Sequence, residues 1–282
     1  MTISLEQFLL SDQKPDIRLA LFDVDGTLLN VDGNYTAGVQ KSIARVQALG
    51  VKTAVASGRP YFATRFLWQE LGLVDTGVFC TGAQIFEPST NTLHKAHPLP
   101  DSSVKKLLAQ LREQHLYYEL YTDAGLYIER DVAPEILGVH CKHLRTQPIM
   151  QSFDTVHDPV IKLLVGVDLD KSANALQVLE QRFPDCIFAY AKLPAYPRWL
   201  FASIIHHSAS KRAAFDYLLA HYGISASNVI SFGDAQSDME FISMAGVGVA
   251  MGNASDAVKN VANIVTSPVW EDGIAKVLDV LI

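Results

Sequence analysis

The sequence predicts an α/β chain, a doubly wound parallel sheet interrupted by an inserted α+β module. Short, almost continuously apolar runs alternate with amphipathic stretches in the first and last thirds of the 282 residues. Runs of that kind suit strands buried on both faces of a parallel sheet. The middle third reads instead as strands paired in hairpins beside helices. Two carboxylates, Asp23 and Asp25, follow the first apolar run and precede a glycine, at the kind of strand end where open α/β sheets bind ligands.

In chain order, strands are expected over residues 17–24, 51–56, 78–81, 229–233 and 247–251, with a shorter run at 264–266. Helices are expected over 36–49, 61–71 and 211–222, each followed by a glycine suited to a helix terminus (Gly50, Gly72 and Gly223), and over 235–244. The insert shows a helix at 102–114 and a hairpin of 116–122 with 126–129 around Asp123-Ala124-Gly125. A strand at 161–167, a helix at 172–182 and strands at 187–191 and 199–205 complete it. The expected division is a core of residues 1–84 and 206–282 and an insert of 85–205. Residues 1–17 form a leader whose order the sequence leaves open.

Composition narrows the function classes. Hydrophobic residues make up 49% and charged residues 19%, the balance of a globular chain with a substantial core. A net charge of −7 and a pI near 5.7 argue against binding nucleic-acid polymers, which requires a basic field. An anionic substrate must therefore be held by local cations. Cys80, Cys141 and Cys186 are odd in number and far apart, so neither a disulfide framework nor a zinc cluster is expected, and a reducing cytoplasm is the expected setting. The apolar stretch at 8–10 follows Glu6 without a basic region and makes a poor signal peptide. No run reaches membrane-spanning length, so no membrane partner is expected.

Alternate residues of a strand share a face, so Asp23 and Asp25 can point the same way. Neighbouring carboxylates resist joint ionisation unless a cation sits between them. A hard divalent ion such as Mg²⁺, which takes oxygen ligands and shares them with phosphate, fits best. Further clusters follow in order: Ala56-Ser57-Gly58-Arg59, Lys211, Gly233-Asp234-Ala235-Gln236-Ser237-Asp238, then Gly252-Asn253-Ala254 with Val258-Lys259. Ser57 and the backbone around Gly58 can cradle a phosphoryl oxygen, although Ser57 also suits a helix cap near Pro60. Arg59 can clamp substrate or pair with a core carboxylate. Lys211 opens a helix, where a cation opposes the dipole unless anions are near. Asp234 and Asp238, one helical turn apart, also suit capping by themselves.

Together these landmarks resemble the haloacid dehalogenase superfamily, and within it the Cof-type phosphatases whose α+β cap lies between the second and third motifs. The resemblance spans nearly the whole chain after Arg18 and implies a Rossmann-like core. It implies Mg²⁺-dependent hydrolysis of small phosphomonoesters, with Asp23 as nucleophile, Asp25 as acid and base, and Lys211 balancing phosphoryl charge. Metal ligation is implied for the Asp23 and Asp234 carboxylates and the Asp25 carbonyl, with Asp238 in support. Ser57, Gly58, Arg59, Ser237 and Asn253 are implied around the phosphate. Ser237 stands where the family usually has asparagine, and the glycines that often flank the lysine are absent. Thr81 likewise stands where relatives often carry asparagine.

The cap would set substrate choice among sugar phosphates, nucleotides, pyridoxal phosphate and flavin mononucleotide. Its aromatics, Tyr117, Tyr118, Tyr121, Tyr127, Tyr190, Tyr196 and Trp199, are expected mainly in cores and hairpin faces. Thr27 is expected to bond its local backbone. His140, His143, His206 and His207 lack metal-site spacing and are expected on the surface or in the cap. The glycines of 246–252 do not match a dinucleotide loop. Phosphoryl transfer to an organic acceptor, or metabolite binding with little turnover, are the alternative functions.

Overall fold

A computed structural model of the chain describes residues 3–4, 15–130, 133–192 and 196–282. It divides into two compact units, one of residues 1–58, 65–94 and 211–282, the other of 59–64 and 95–210. Most of the leader lies outside the described residues.

Among the described residues, the first unit is built on a six-stranded parallel sheet. Its order is Ile3–Ser4, Ile264–Val265, Val247–Ala250, Val229–Gly233, Leu19–Phe22 and Lys52–Val55. The first and last thirds of the chain thus meet at its centre, where Phe22 pairs with Phe232 and their rings stack at 5.3 Å. All four residues of Leu19–Phe22 are fully buried, which explains the run without polar alternation.

Helix Ala37–Ala48 is capped by Thr36, whose side chain accepts from the Val39 amide. It buries Val39, Ile43 and Val46, one stripe of a 3.6-residue repeat. Helix Gly273–Leu281, not anticipated above, packs beside it. Ser42 Oγ donates to Asp279 at 2.8 Å, and Arg45 donates to the Leu278 carbonyl at 2.7 Å. Ile274, Val277, Leu278 and Leu281 form its buried stripe, so the signal was present in the sequence.

Several expected elements differ. The strand at 78–81 is only Gly77–Phe79 and touches the parallel sheet through a single bridge, Ala56 to Val78. It belongs to a three-stranded sheet with Gln84–Glu87 and Thr92–Ala96. Cys80 and Thr81 take left-handed backbone angles, φ 48° and 58°, which end the strand at Phe79. The helix at 61–71 is a 3-10 turn, Tyr61–Thr64, followed by Arg65–Leu71. The helix at 235–244 likewise begins as a 3-10 turn, Gln236–Asp238, and continues as Met239–Met244.

The second unit holds a sheet ordered Cys186–Ala191, Trp199–His206, Lys162–Asp168, Tyr117–Tyr121, Leu126–Ile128 and Ile149–Met150. Its pairings are antiparallel except the last. Strand Tyr117–Tyr121 is buried on both faces, and its side chains alternate between two cores. Tyr118 and Leu120 join one with Leu107, Val165 and Leu179. Tyr117 and Tyr121 join the other with Ile136, Leu164 and Phe201. Helix Pro134–Leu144, also not anticipated, covers the second face. The expected helix at 172–182 divides into Leu169–Ser172 and Ala175–Arg182.

Tyr117, Tyr118, Tyr121 and Tyr127 fill cores as expected, whereas Tyr190 is exposed and bonds Glu180. The buried Glu119 accepts from the hydroxyls of Tyr117 and Tyr121 and lies 2.8 Å from Nδ1 of His140. His140 therefore orders the interior of this unit.

Leu278→Ala, at a fully buried position of the C-terminal helix, should cost about 2–5 kcal/mol by removing packed volume. Val280→Ala, on the exposed face, should cost less than about 0.5 kcal/mol. Urea unfolding of the two variants beside the parent checks the difference.

Candidate active site

The ends of adjacent parallel strands bring the sequence landmarks together. Asp23 follows Leu19–Phe22, its amide donating to the Phe232 carbonyl at 3.1 Å. Asp234 follows Val229–Gly233 directly. Oxygens of Asp23, Asp234 and Asp238 lie within 4.8 Å of one another. Residues more than 200 positions apart therefore form one acidic cluster.

The loop after Asp23 is tightly closed. Gly26 N donates to Leu29 O at 2.8 Å, and Leu29 N donates to Val24 O at 2.8 Å. Gly26 has φ +86°, and a Cβ there would stand 2.2 Å from an Asp234 oxygen. Glycine is needed for both the backbone angle and the close approach. Thr27 departs from expectation: its hydroxyl donates to Asp234 Oδ1 at 3.1 Å rather than to the local backbone. That partner is 207 residues away, beyond the reach of local turn chemistry.

Asn253, grouped by sequence with the phosphate contacts, braces the loops here. Its amide nitrogen donates to Gly26 O at 2.9 Å and Asp234 Oδ2 at 3.2 Å, and its carbonyl accepts from Val269 N at 2.9 Å. Asp238 is buried and accepts from the amides of Asp234 and Ala235 at 3.2 and 3.0 Å. The Ser237 hydroxyl donates to its other oxygen at 3.0 Å.

Lys211 is the first residue of helix Lys211–Tyr222 and is buried. Its ammonium donates to the Ser237 carbonyl and lies 3.6 Å from Asp238 Oδ1. The anion needed to hold a lysine at this helix end is present. Phe241 lies under the same ammonium, 5.2 Å from its ring centre.

Ser57 is buried where the neighbouring strand ends, its amide donating to Val78 O at 2.9 Å and its carbonyl accepting from Thr81 N at 3.1 Å. Gly58 is exposed, with the Thr81 hydroxyl 3.4 Å from the position its Cβ would take. Thr81 is a β-branched residue in a left-handed conformation, a strain of about 1–3 kcal/mol. Asparagine, which adopts that conformation more readily, carries less of it. Arg59 groups with the second unit, where its guanidinium donates to Ala63 O at 3.5 Å.

Electrostatics follow from crowding. Burial, then the charges of Asp238, Asp25 and Asp234, pushes the Asp23 carboxyl well above its ordinary range. Burial and the Asp238 charge push Asp234 up to about 7, partly countered by the Thr27 hydrogen bond. The donor set is all hard oxygen and strained by like charge, which fits a hard divalent cation. A second group of possible ligands, Glu87, His94 and His221, lies elsewhere in the first unit.

Comparison with known proteins bears on the family and the fold. The family model for haloacid dehalogenase-like hydrolases matches residues 20–278. The 5-amino-6-(5-phospho-D-ribitylamino)uracil phosphatase YitU of Bacillus subtilis is 27% identical over 271 residues, 92% of this chain and 96% of that protein. The pyridoxal phosphate phosphatase YbhA of Escherichia coli is 26% identical over 270 residues, with the same two coverages. A crystal structure of a haloacid dehalogenase-like hydrolase from Bacteroides thetaiotaomicron superposes with a TM-score of 0.84 at 25% identity, covering 94% of this chain and all of that one.

The raised carboxyls have a measurable consequence. A folded-state value above the unfolded one means that the folded chain holds protons the unfolded chain has already released. Their stabilising contribution is present at low pH and lost as pH rises from the ordinary carboxylate range toward about 7. Without divalent cations, the melting temperature should fall over this range more steeply in the parent than in Asp234→Asn. Added Mg²⁺ should raise the parent by about 5 °C near neutrality, read by thermal denaturation. Equal slopes for the two proteins would contradict this electrostatic account.

The fold, the ordered motifs and the family match converge, and the chain belongs to the haloacid dehalogenase-like hydrolases, among their Cof-type phosphatases.

Proposed function

We propose that this phosphatase hydrolyses small phosphomonoesters with Mg²⁺, through an aspartyl-phosphate on Asp23. The observation carrying the reading is the convergence of the Asp23, Asp234 and Asp238 carboxylates at adjacent strand ends, with Lys211 beside them.

The Asp23 carboxylate bonds to phosphorus while the bond from phosphorus to the leaving oxygen breaks. Asp25, protonated at that moment, gives its proton to the leaving oxygen. As a carboxylate it then takes a proton from water, whose oxygen bonds to phosphorus. The bond between phosphorus and Asp23 breaks, releasing inorganic phosphate and regenerating the carboxylate.

Bound Mg²⁺ supplies positive charge that lets Asp23 remain ionised near the phosphoryl oxygens. The carboxylates of Asp23 and Asp234 and the carbonyl of Asp25 would hold it. Asp238 orients Lys211, whose ammonium stabilises charge on the transferring group. Ser57 and Gly58 are assigned to the phosphoryl oxygens, as is Arg59, and Ser237 joins them by turning its hydroxyl away from Asp238. Asn253 is assigned to bracing, because both ends of its amide are already engaged. Substrate choice is assigned to the inserted module. Substrates named for the relatives, a ribitylaminouracil phosphate and pyridoxal phosphate, support a ring-bearing phosphorylated metabolite.

The test is a panel of sugar phosphates, nucleotides, pyridoxal phosphate, flavin mononucleotide and the ribitylaminouracil phosphate, assayed with and without Mg²⁺. Chelation should abolish phosphate release and Mg²⁺ restore it. Asp23→Asn should remove turnover, and Asp25→Asn should slow it about 10²–10⁴-fold. Metal-dependent turnover surviving in Asp23→Asn would refute the covalent route. Transfer of labelled phosphate to an organic acceptor instead of water would identify a phosphotransferase.

A further inference from the structure

We propose that Glu87, His94 and His221 form a second metal site, for a transition cation of the Zn²⁺ class. One ligand atom from each residue lies within 4.8 Å of the other two. None of the three takes part in the chemistry assigned to Asp23, so this site stands or falls independently of that reading.

The local geometry resembles a site set before its ion arrives. Nε2 of His94 and Oε2 of Glu87 are 3.0 Å apart, hydrogen-bonded in the absence of metal, and would separate by a few tenths of an ångström, to about 3.3–3.6 Å, as two ligands on a tetrahedral zinc with bonds of about 2.0–2.2 Å. The other Glu87 oxygen accepts from the Ser89 hydroxyl at 2.8 Å, which fixes the carboxylate's orientation.

The third ligand is equally supported. The His221 ring stacks on Tyr217 at an interplanar angle of 13° and sits 5.0 Å from the His94 ring. One of its nitrogens is 3.1 Å from the hydroxyl of the buried Thr76. Outer partners of this kind orient imidazole ligands in metal sites.

The donor chemistry separates this site from the acidic cluster. Two imidazoles and one carboxylate favour zinc and its neighbours, whereas an all-oxygen set favours Mg²⁺. Three protein ligands leave a fourth position for water or an exogenous ligand. The site ties Gln84–Glu87 and Thr92–Ala96, through Glu87 and His94, to the last turn of the helix that begins at Lys211. Metal here would stabilise the first unit by binding the folded form.

The alternative is an ion pair between His94 and Glu87 with His221 as a bystander. Equilibrium dialysis of the chelator-stripped full chain distinguishes the two. Asp234→Asn serves as background, weakening the acidic cluster, with Mg²⁺ in large excess. It should bind one equivalent of Zn²⁺, and adding His94→Ala or His221→Ala should weaken binding at least about 100-fold. Co²⁺ should give a visible absorption band that both substitutions abolish. His94→Gln, which keeps a polar group toward Glu87, repeats the test should His94→Ala fail to fold. No Zn²⁺ bound by the background, or binding unchanged by loss of either imidazole, would overturn the proposal.

Discussion

Three carboxylates forced together in a poorly solvated strand-end crevice are the constraint around which the first unit is organised. Two like charges 4 Å apart repel by about 4 kcal/mol at an effective dielectric near 20, while a hydrogen bond to a charged group returns about 1.5–3 kcal/mol. The donors around the cluster are shared unevenly among the three carboxylates. Asp238 is the best compensated, taking two backbone amides, the Ser237 hydroxyl and the Lys211 ammonium. Asp234 takes Thr27 and Asn253. Burial dominates at Asp23, whose carboxyl is raised despite a helping backbone amide. This gradient of compensation leaves the proposed nucleophile the most dependent on an added cation.

The fold sustains such an unfavourable cluster by placing it at the rim of an apolar sheet. Leu19–Phe22 and Val229–Gly233 are buried throughout, and the stacked rings of Phe22 and Phe232 lie one residue before Asp23 and two before Asp234. Apolar burial at about 25 cal/mol per Å² supplies the driving force for pairing these strands, and the carboxylates are carried along. Gly26 then admits Asp234 to a distance that any side chain would block. Asn253, from beyond the next strand, ties both loops together. Beside the Ser57 and Gly58 loop, the left-handed backbone of Cys80 and Thr81 is strained and turns the chain out of the strand direction.

The second unit solves a different problem. Its central strand is buried on both sides and must fill two cores with alternating residues, so Tyr118 and Leu120 serve one while Tyr117 and Tyr121 serve the other. The polar atoms carried inward by this arrangement converge on Glu119, which His140 and two tyrosines satisfy. Tyrosine clusters in the sequence thus report sheet packing before they report a ligand.

Much of the architecture was legible because it rests on local periodicity: apolar runs, amphipathic helices and glycine stops depend on near neighbours in the chain. Asp23, Lys211, Asp234 and Asp238 were legible because each stands at a strand or helix end where its charge needs a reason. The C-terminal helix shows the same kind of pattern, and its apolar stripe at 274, 277, 278 and 281 was available to periodicity alone. Tertiary structure decided what depends on partners far away. Thr27 bonds Asp234 and Asn253 bonds Gly26 across 207 and 227 residues, because parallel register sets loops side by side that sequence separates. The left-handed turn at Thr81 and the meeting of His94 with His221 arise in the same way, since backbone angle and ring orientation there are imposed by packing rather than by residue type.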